Sequence, residues 1–180
     1  MRCLERVPIR ASLTRIIKSP FVLVALGLLI LASSSCLADE DDLESLNQRI
    51  YRLFAEGKYQ EAIPPAERAV DVAKRARGPE DPETATALNN LGLLFPKIGD
   101  YAKAEPLYQE SLRIRQKVLG PEHPDTAVSL SNLALLYQTM GEYAKAEPLL
   151  QESLQIFQKV FGLEHPNTAT SLNNLAFLIT

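Results

Sequence analysis

A 42-residue period governs this chain. Gly78–Leu119 recurs as Gly120–Phe161 with 27 of the 42 positions identical. GPEDPETATALNNLGLLFPKIGDYAKAEPLYQESLRIRQKVL is answered by GPEHPDTAVSLSNLALLYQTMGEYAKAEPLLQESLQIFQKVF. A third copy opens at Gly162 as GLEHPNTATSLNNLAFLIT. A diverged copy comes first, with Gly57-Lys58-Tyr59 one period ahead of Gly99-Asp100-Tyr101. Self-similarity at this length means that each unit is one supersecondary element that buries its apolar face by stacking on its neighbours. A solenoid follows, and solenoids mostly present surface to partners.

The first 38 residues stand outside the period. Arg2, Arg6, Arg10, Arg15 and Lys18 face only Glu5, and the next acid is Asp39. Phe21–Ala32 is an unbroken apolar run, followed by Ser33-Ser34-Ser35-Cys36-Leu37-Ala38. A basic lead, a short apolar core and small residues describe a secretory signal peptide at 1–38. As a helix the run reaches about 18 Å, short of the roughly 30 Å hydrocarbon core. Extended through Ala38 it reaches about 27 Å, so an uncleaved signal anchor is the alternative. Two processing chemistries fit. Cys36 and Ala38 are the small residues of an ordinary cut before Asp39. Ser33-Ser34-Ser35-Cys36 also resembles a bacterial lipobox, which makes Cys36 a lipidation candidate, although that pattern usually has Leu where Ser33 stands. Both routes export the chain to the periplasm or cell envelope.

Removing the leader also decides the charge. Residues 39–180 hold 14 Lys+Arg against 21 Asp+Glu, a net charge of −7. Such a chain lacks the basic face that nucleic-acid phosphates require, and it has no general attraction to anionic lipid. Membrane contact is therefore expected only through the N-terminal lipid or signal anchor. Cys3 and Cys36 are the only cysteines, so the folded part is held together by packing without a disulfide.

Residues 39–42 read as a short acidic linker, and after them the pattern is helical. Leu88, Leu91, Gly92 and Phe95 fall on one helix face, as do Leu130, Leu133, Ala134 and Tyr137 one period later. Asp81 is an N-cap, Pro82 a first helical residue and Glu83 a partner for the positive end of the dipole. His123-Pro124-Asp125 and His165-Pro166-Asn167 repeat the arrangement with poorer caps. After the Gly99-Asp100 and Gly141-Glu142 turns, a second helix carries Tyr101, Ala104, Tyr108, Ser111 and Leu112, answered by Tyr143, Ala146, Leu150, Ser153 and Leu154. Gly78, Gly120 and Gly162 close the second helices as left-handed residues. Pro106 and Pro148 each forfeit one backbone bond inside a helix, and Pro96 shortens a first helix.

The small residue of the first helix, the aromatic three places on, the Gly-x-Tyr turn and the following Ala resemble the tetratricopeptide pattern. The 42-residue period, with GPEHPDTA, LSNLALLY and YAKAEPL, is similar to the longer repeats of the kinesin light chain type. The resemblance covers Leu43–Thr180, about three-quarters of the chain. It implies an all-α fold, a right-handed α-solenoid of stacked helix-turn-helix repeats whose first helices line a concave groove. The units are a diverged repeat at 43–77, repeats at 78–119 and 120–161, and a half repeat at 162–180. In the first unit Arg49 stands where Leu91 would be and Pro64-Pro65 lies in the second helix, so this unit caps the array.

Catalytic chemistry has little to build on. The folded part contains no nucleophile elbow, no glycine-rich phosphate loop and no cysteine. His123 and His165 lie a whole repeat apart with no further His or Cys to complete a zinc site. We therefore expect no enzyme, no cofactor and no metal. The first-helix face opposite the core is the candidate site. Thr86, Asn90, Leu93 and Lys97 point away from Leu88 and Leu91, followed by Val128, Asn132, Leu135 and Thr139, then Thr170, Asn174 and Phe177. Asn89, Ser131 and Asn173 flank the row. Stacking predicts a ladder of Asn90, Asn132 and Asn174, residues with no helix propensity to recommend them and with amides that pair with any peptide backbone. In kinesin light chain-type repeats similarly placed asparagines hold an extended peptide, and the resemblance carries that role to these three. The alternative is that the amides bond neighbouring helices and set repeat geometry.

The expected function is a non-enzymatic protein–protein interaction scaffold that binds an extended peptide of a partner. A second reading makes the chain the recognition array of a truncated multidomain protein with a missing effector domain. A third is self-stacking through the open far side of the half repeat, whose Leu172, Leu175, Ala176 and Ile179 are expected to cap the previous unit.

Overall fold

Each first helix starts where a side chain accepts the backbone N–H two residues on. Asp42 Oδ1 accepts from Glu44 N at 2.7 Å, and Asp81 Oδ1 from Glu83 N at 2.8 Å. The histidines do the same work. His123 Nδ1 accepts from Asp125 N at 3.1 Å and His165 Nδ1 from Asn167 N at 3.2 Å. They are functional caps, which their residue type does not suggest. His165 is also stacked on Phe161, with ring centroids 4.3 Å apart.

The computed structural model describes residues 42–179. The expected signal peptide at 1–38 with its Cys36, and residues 39–41, lie outside them. Seven α-helices and no strand occur among the described residues: α1 (Leu43–Ala55), α2 (Tyr59–Ala76), α3 (Pro82–Leu94), α4 (Tyr101–Val118), α5 (Pro124–Thr139), α6 (Tyr143–Phe161) and α7 (Pro166–Ile179). Asp42, read as the last linker residue, belongs to the fold as the α1 cap. Pro96 ends α3 at Leu94, and Phe95–Ile98 continues as a single 3-10 turn. Pro64, Pro65, Pro106 and Pro148 are carried inside unbroken helices.

The turns between paired helices share one hydrogen-bond scheme. Lys58 N–H bonds to Leu53 O, Asp100 N–H to Phe95 O and Glu142 N–H to Tyr137 O, each across a positive-φ glycine. This closes the last carbonyls of one helix and reverses the chain for the next. Gly162 departs from expectation: with φ 84° and ψ 178° it lies in the extended positive-φ region, which is open essentially to glycine alone, rather than in the left-handed helical one.

Packing follows chain order, each helix lying against the next, and α5 also meets α7. Leu88, Leu91, Leu130 and Leu133 are buried, as are Ala104, Tyr108, Ala146, Leu150 and Leu154. Each buried leucine contributes roughly 1.5–3 kcal/mol relative to exposure. Tyr143 is the exception on the second-helix face. It is 55% exposed and belongs to neither apolar cluster. Between paired helices, buried serines add bonds: Ser111 Oγ donates to Ala85 O and Ser153 Oγ to Ala127 O, both at 2.8 Å. Thr84, Thr126 and Thr168 tie the inter-repeat loops by donating to Gly78 O, Gly120 O and Gly162 O.

Candidate functional site: a furrow along the first helices

The faces of α3, α5 and α7 turned away from the core border a row of hollows. One of about 170 Å³ lies between the end of α3 and α5, walled by Leu93, Lys97, Tyr108, Asn132, Leu135 and Thr139 among others. A second of about 160 Å³ lies between α5 and α7, with Val128, Ser131, Asn132, Leu135, Thr170 and Asn174 in its wall. A third of about 480 Å³ follows, with Leu135, Thr139, Asn173, Asn174 and Phe177. Leu135 borders all three, so they form one furrow with this side chain at its centre. Thr86 lines a separate, more polar hollow at the start of α1 and α3.

Of the expected row Asn90, Asn132 and Asn174, only Asn132 makes a side-chain hydrogen bond to another described residue. Asn132 Nδ2 donates to Asn89 Oδ1 at 2.8 Å, and Asn89 is buried. These two amides therefore bond repeat to repeat, the structural alternative raised by the sequence. Ser131 is bonded to Ser153 of α6 at 2.7 Å. Thr86, Thr139 and Thr170 bond back to carbonyls of their own helices. Asn90 and Asn174 stay half-buried with no side-chain hydrogen bond to another described residue, and Asn173 is exposed. Leu93, Leu135 and Phe177 are exposed apolar groups on the same side, Phe177 at 69%. Lys97 is exposed and Val128 half-buried.

Two residues behind the furrow have surroundings that a reading by face does not supply. Arg115 of α4 is buried, yet no carboxylate pairs with it among the described residues. It donates to Asp125 O at 3.0 Å, Ser129 Oγ at 2.9 Å and Thr86 Oγ1 at 3.1 Å, joining α3 and α5 from beneath. Burial pulls its pKa down, and the charge of Asp125 opposes that. Tyr108 is the other. Both are departures from the period, since Phe157 and Leu150 stand one repeat on. That mismatch inside an otherwise repeated segment is the available signal. Among the described residues no group of three or more His, Cys, Asp or Glu side chains could hold a metal ion, and no helix is long and apolar enough to cross a membrane.

Comparisons with known proteins agree with this geometry. A family model, the tetratricopeptide repeat, matches residues 42–117, 95–154 and 130–178. A search of curated proteins gave no match. Among solved structures the chain is similar to a kinesin light chain candidate of Podosopora anserina with nearly identical TPR-like repeats. The identity is 28% and the TM-score 0.71, over 77% of this chain and 65% of that one. It also resembles BtubC (BKLC) from P. vanneervenii, at 22% identity and a TM-score of 0.69, over 76% of this chain and 54% of the other. The Sgt2 TPR domain of Aspergillus fumigatus matches at 18% and 0.54, over 76% and 78%. The last two likenesses concern the fold alone. The chain spans less than two thirds of the length of the first two. The stacked pairs, the turns and the family match lead to one conclusion: the chain belongs to the tetratricopeptide repeat family.

Proposed function

We propose that this chain is a non-enzymatic scaffold that holds an extended segment of a partner protein in the furrow of α3, α5 and α7. Repeat arrays of this kind generally serve as protein-interaction scaffolds. The observation that carries the reading is the run of three hollows sharing Leu135, bordered by exposed apolar groups and half-buried amides. An extended peptide has a backbone for the amides and alternate side chains for the hollows.

The experiment is selection of a random displayed peptide library on the full-length protein, followed by titration of the selected peptides on Leu135→Asp. Leu135 lies outside the buried core, so the variant keeps the wild-type helical signal and loses far less stability than a core substitution. A carboxylate in the middle of an apolar contact weakens binding by about tenfold or more, roughly 1.4 kcal/mol. Peptides that bind Leu135→Asp and wild type equally do not occupy the furrow, and that result defeats the reading.

The place of action is the bacterial cell envelope in this proposal, on the strength of the basic lead, apolar run and small residues of 1–38. Metabolic acyl labelling separates the two processing routes. Label present in wild type and lost in Cys36→Ala establishes a lipid anchor; an unlabelled wild type means a cut before Asp39 or an uncleaved leader.

A further inference from the structure

The period breaks at one pair of facing residues. Gly92 in α3 and Tyr108 in α4 stand where Ala134 and Leu150 stand one repeat later. A Cβ at Gly92 would lie 2.9 Å from Cε1 of Tyr108, so the glycine is what lets the phenol ring lie against α3. Tyr108 is only 3% exposed, and its hydroxyl makes no hydrogen bond to another described residue. The ring is buried, while the hydroxyl oxygen is not sealed in: it reaches the hollow, where a ligand group can meet it. Burial pushes the phenol pKa up, so the group keeps its proton and remains a donor.

The unpartnered group lines the hollow of about 170 Å³ between α3 and α5. Leu93, Leu135 and Leu136 supply apolar wall. Of the other polar groups, Thr139 has spent its hydrogen on Leu135 O, and exposed Lys97 acts through water, where its charge is worth little. Asn132 has committed one N–H of Nδ2 to Asn89, which leaves its Oδ1 and its second N–H without a side-chain partner. The hollow thus offers the Tyr108 O–H, one amide N–H and one carbonyl acceptor. A primary carboxamide supplies the matching pair, a carbonyl for Tyr108 and an N–H for Asn132. A carboxylate supplies acceptors only: it pairs with the Tyr108 O–H and the remaining Asn132 N–H but leaves Oδ1 unpaired. A hydrocarbon would seal both groups away unpaired.

We propose that this hollow is a subsite for one glutamine or asparagine side chain of the segment held in the furrow, an inference that rests on the peptide-binding reading above. Leu150 replaces the tyrosine in the next repeat, so the requirement applies at one position of the bound segment only.

The test selects a random displayed peptide library on full-length wild type and on Tyr108→Phe, and then titrates a selected peptide and its Gln→Glu and Gln→Leu versions. Wild type enriches Gln or Asn at one position, and both replacements weaken its binding by about tenfold, as loss of a buried hydrogen-bond partner does. Tyr108→Phe shows no such enrichment and binds the Gln and Leu peptides within about twofold of each other. It melts at the wild-type temperature or slightly above, because it removes a hydroxyl with no partner inside the fold. A melt several degrees lower would mean that the hydroxyl is spent structurally, which overturns the subsite. Peptides blocked by Leu135→Asp but lacking a carboxamide position would overturn the subsite and leave the furrow reading standing. A preference that survives every side-chain replacement would be a backbone amide effect, and it too overturns the subsite alone. A library that yields no binder to either protein overturns both.

Discussion

Leu133→Asp abolishes the cooperative melt of the C-terminal repeats. Leu133 is 5% exposed and lies in the core between α5 and its neighbours. The substitution removes roughly 2–3 kcal/mol of apolar burial and places an unpaired carboxylate where only hydrocarbon surrounds it. A total cost of about 4 kcal/mol or more is a large share of the stability of a typical domain. In a stacked array stability is a sum over units and their interfaces, so the loss is not evenly spread. Amide hydrogen exchange should rise in α5, α6 and α7 while α1 and α2 keep most of their protection. Leu135→Asp, two residues away on the furrow side, is the control and keeps a cooperative melt at a much smaller cost than the core variant. Equal melts for the two variants would mean that the faces of α5 have been assigned wrongly.

That pair of leucines illustrates how much the chain's spelling reveals by itself. The spacing of Leu130, Leu133 and Ala134 marks the core face, and the opposite face follows by geometry. Asp81-Pro82 and Gly99-Asp100 mark helix start and turn for chemical reasons that act within a few residues. The asparagines show where such reading stops. A period of 42 tells which residues are equivalent, but not which of them touch. Asn132 meets Asn89, 43 positions away, because successive units are displaced as they stack and the contact falls one residue out of register. Arg115 fails differently. Its charge predicts exposure, and its burial depends on acceptors from Thr86, Asp125 and Ser129, which only the fold brings together. The histidine caps escape notice because the propensity of a residue type is an average, whereas a ring nitrogen aimed at a free N–H is a local fact.

Gly92→Ala lowers stability although alanine is the better helix former. Within a helix the change gains about 1 kcal/mol by propensity. Against this, the new methyl would lie 2.9 Å from Cε1, 3.1 Å from Cδ1 and 3.2 Å from Cζ of Tyr108. One whole edge of the ring is involved, and the ring is packed in the core, so it must shift as a body. Overpacking of this kind costs about 1–3 kcal/mol, leaving a net loss of up to about 2 kcal/mol and a fall of up to roughly 8 °C in melting temperature. The next repeat shows the remedy, for Ala134 and Leu150 pack there with neither exposed. Tyr108→Leu alone leaves a void beside Gly92, and Gly92→Ala alone leaves a clash. The double variant reproduces the pair found at 134 and 150 and should be more stable than either single variant. The coupling in that thermodynamic cycle should be favourable by more than about 1 kcal/mol, as expected for residues in direct contact. Additive effects would show that the glycine and the tyrosine do not share one space. The phenol would then owe its place in the furrow to something other than the missing methyl.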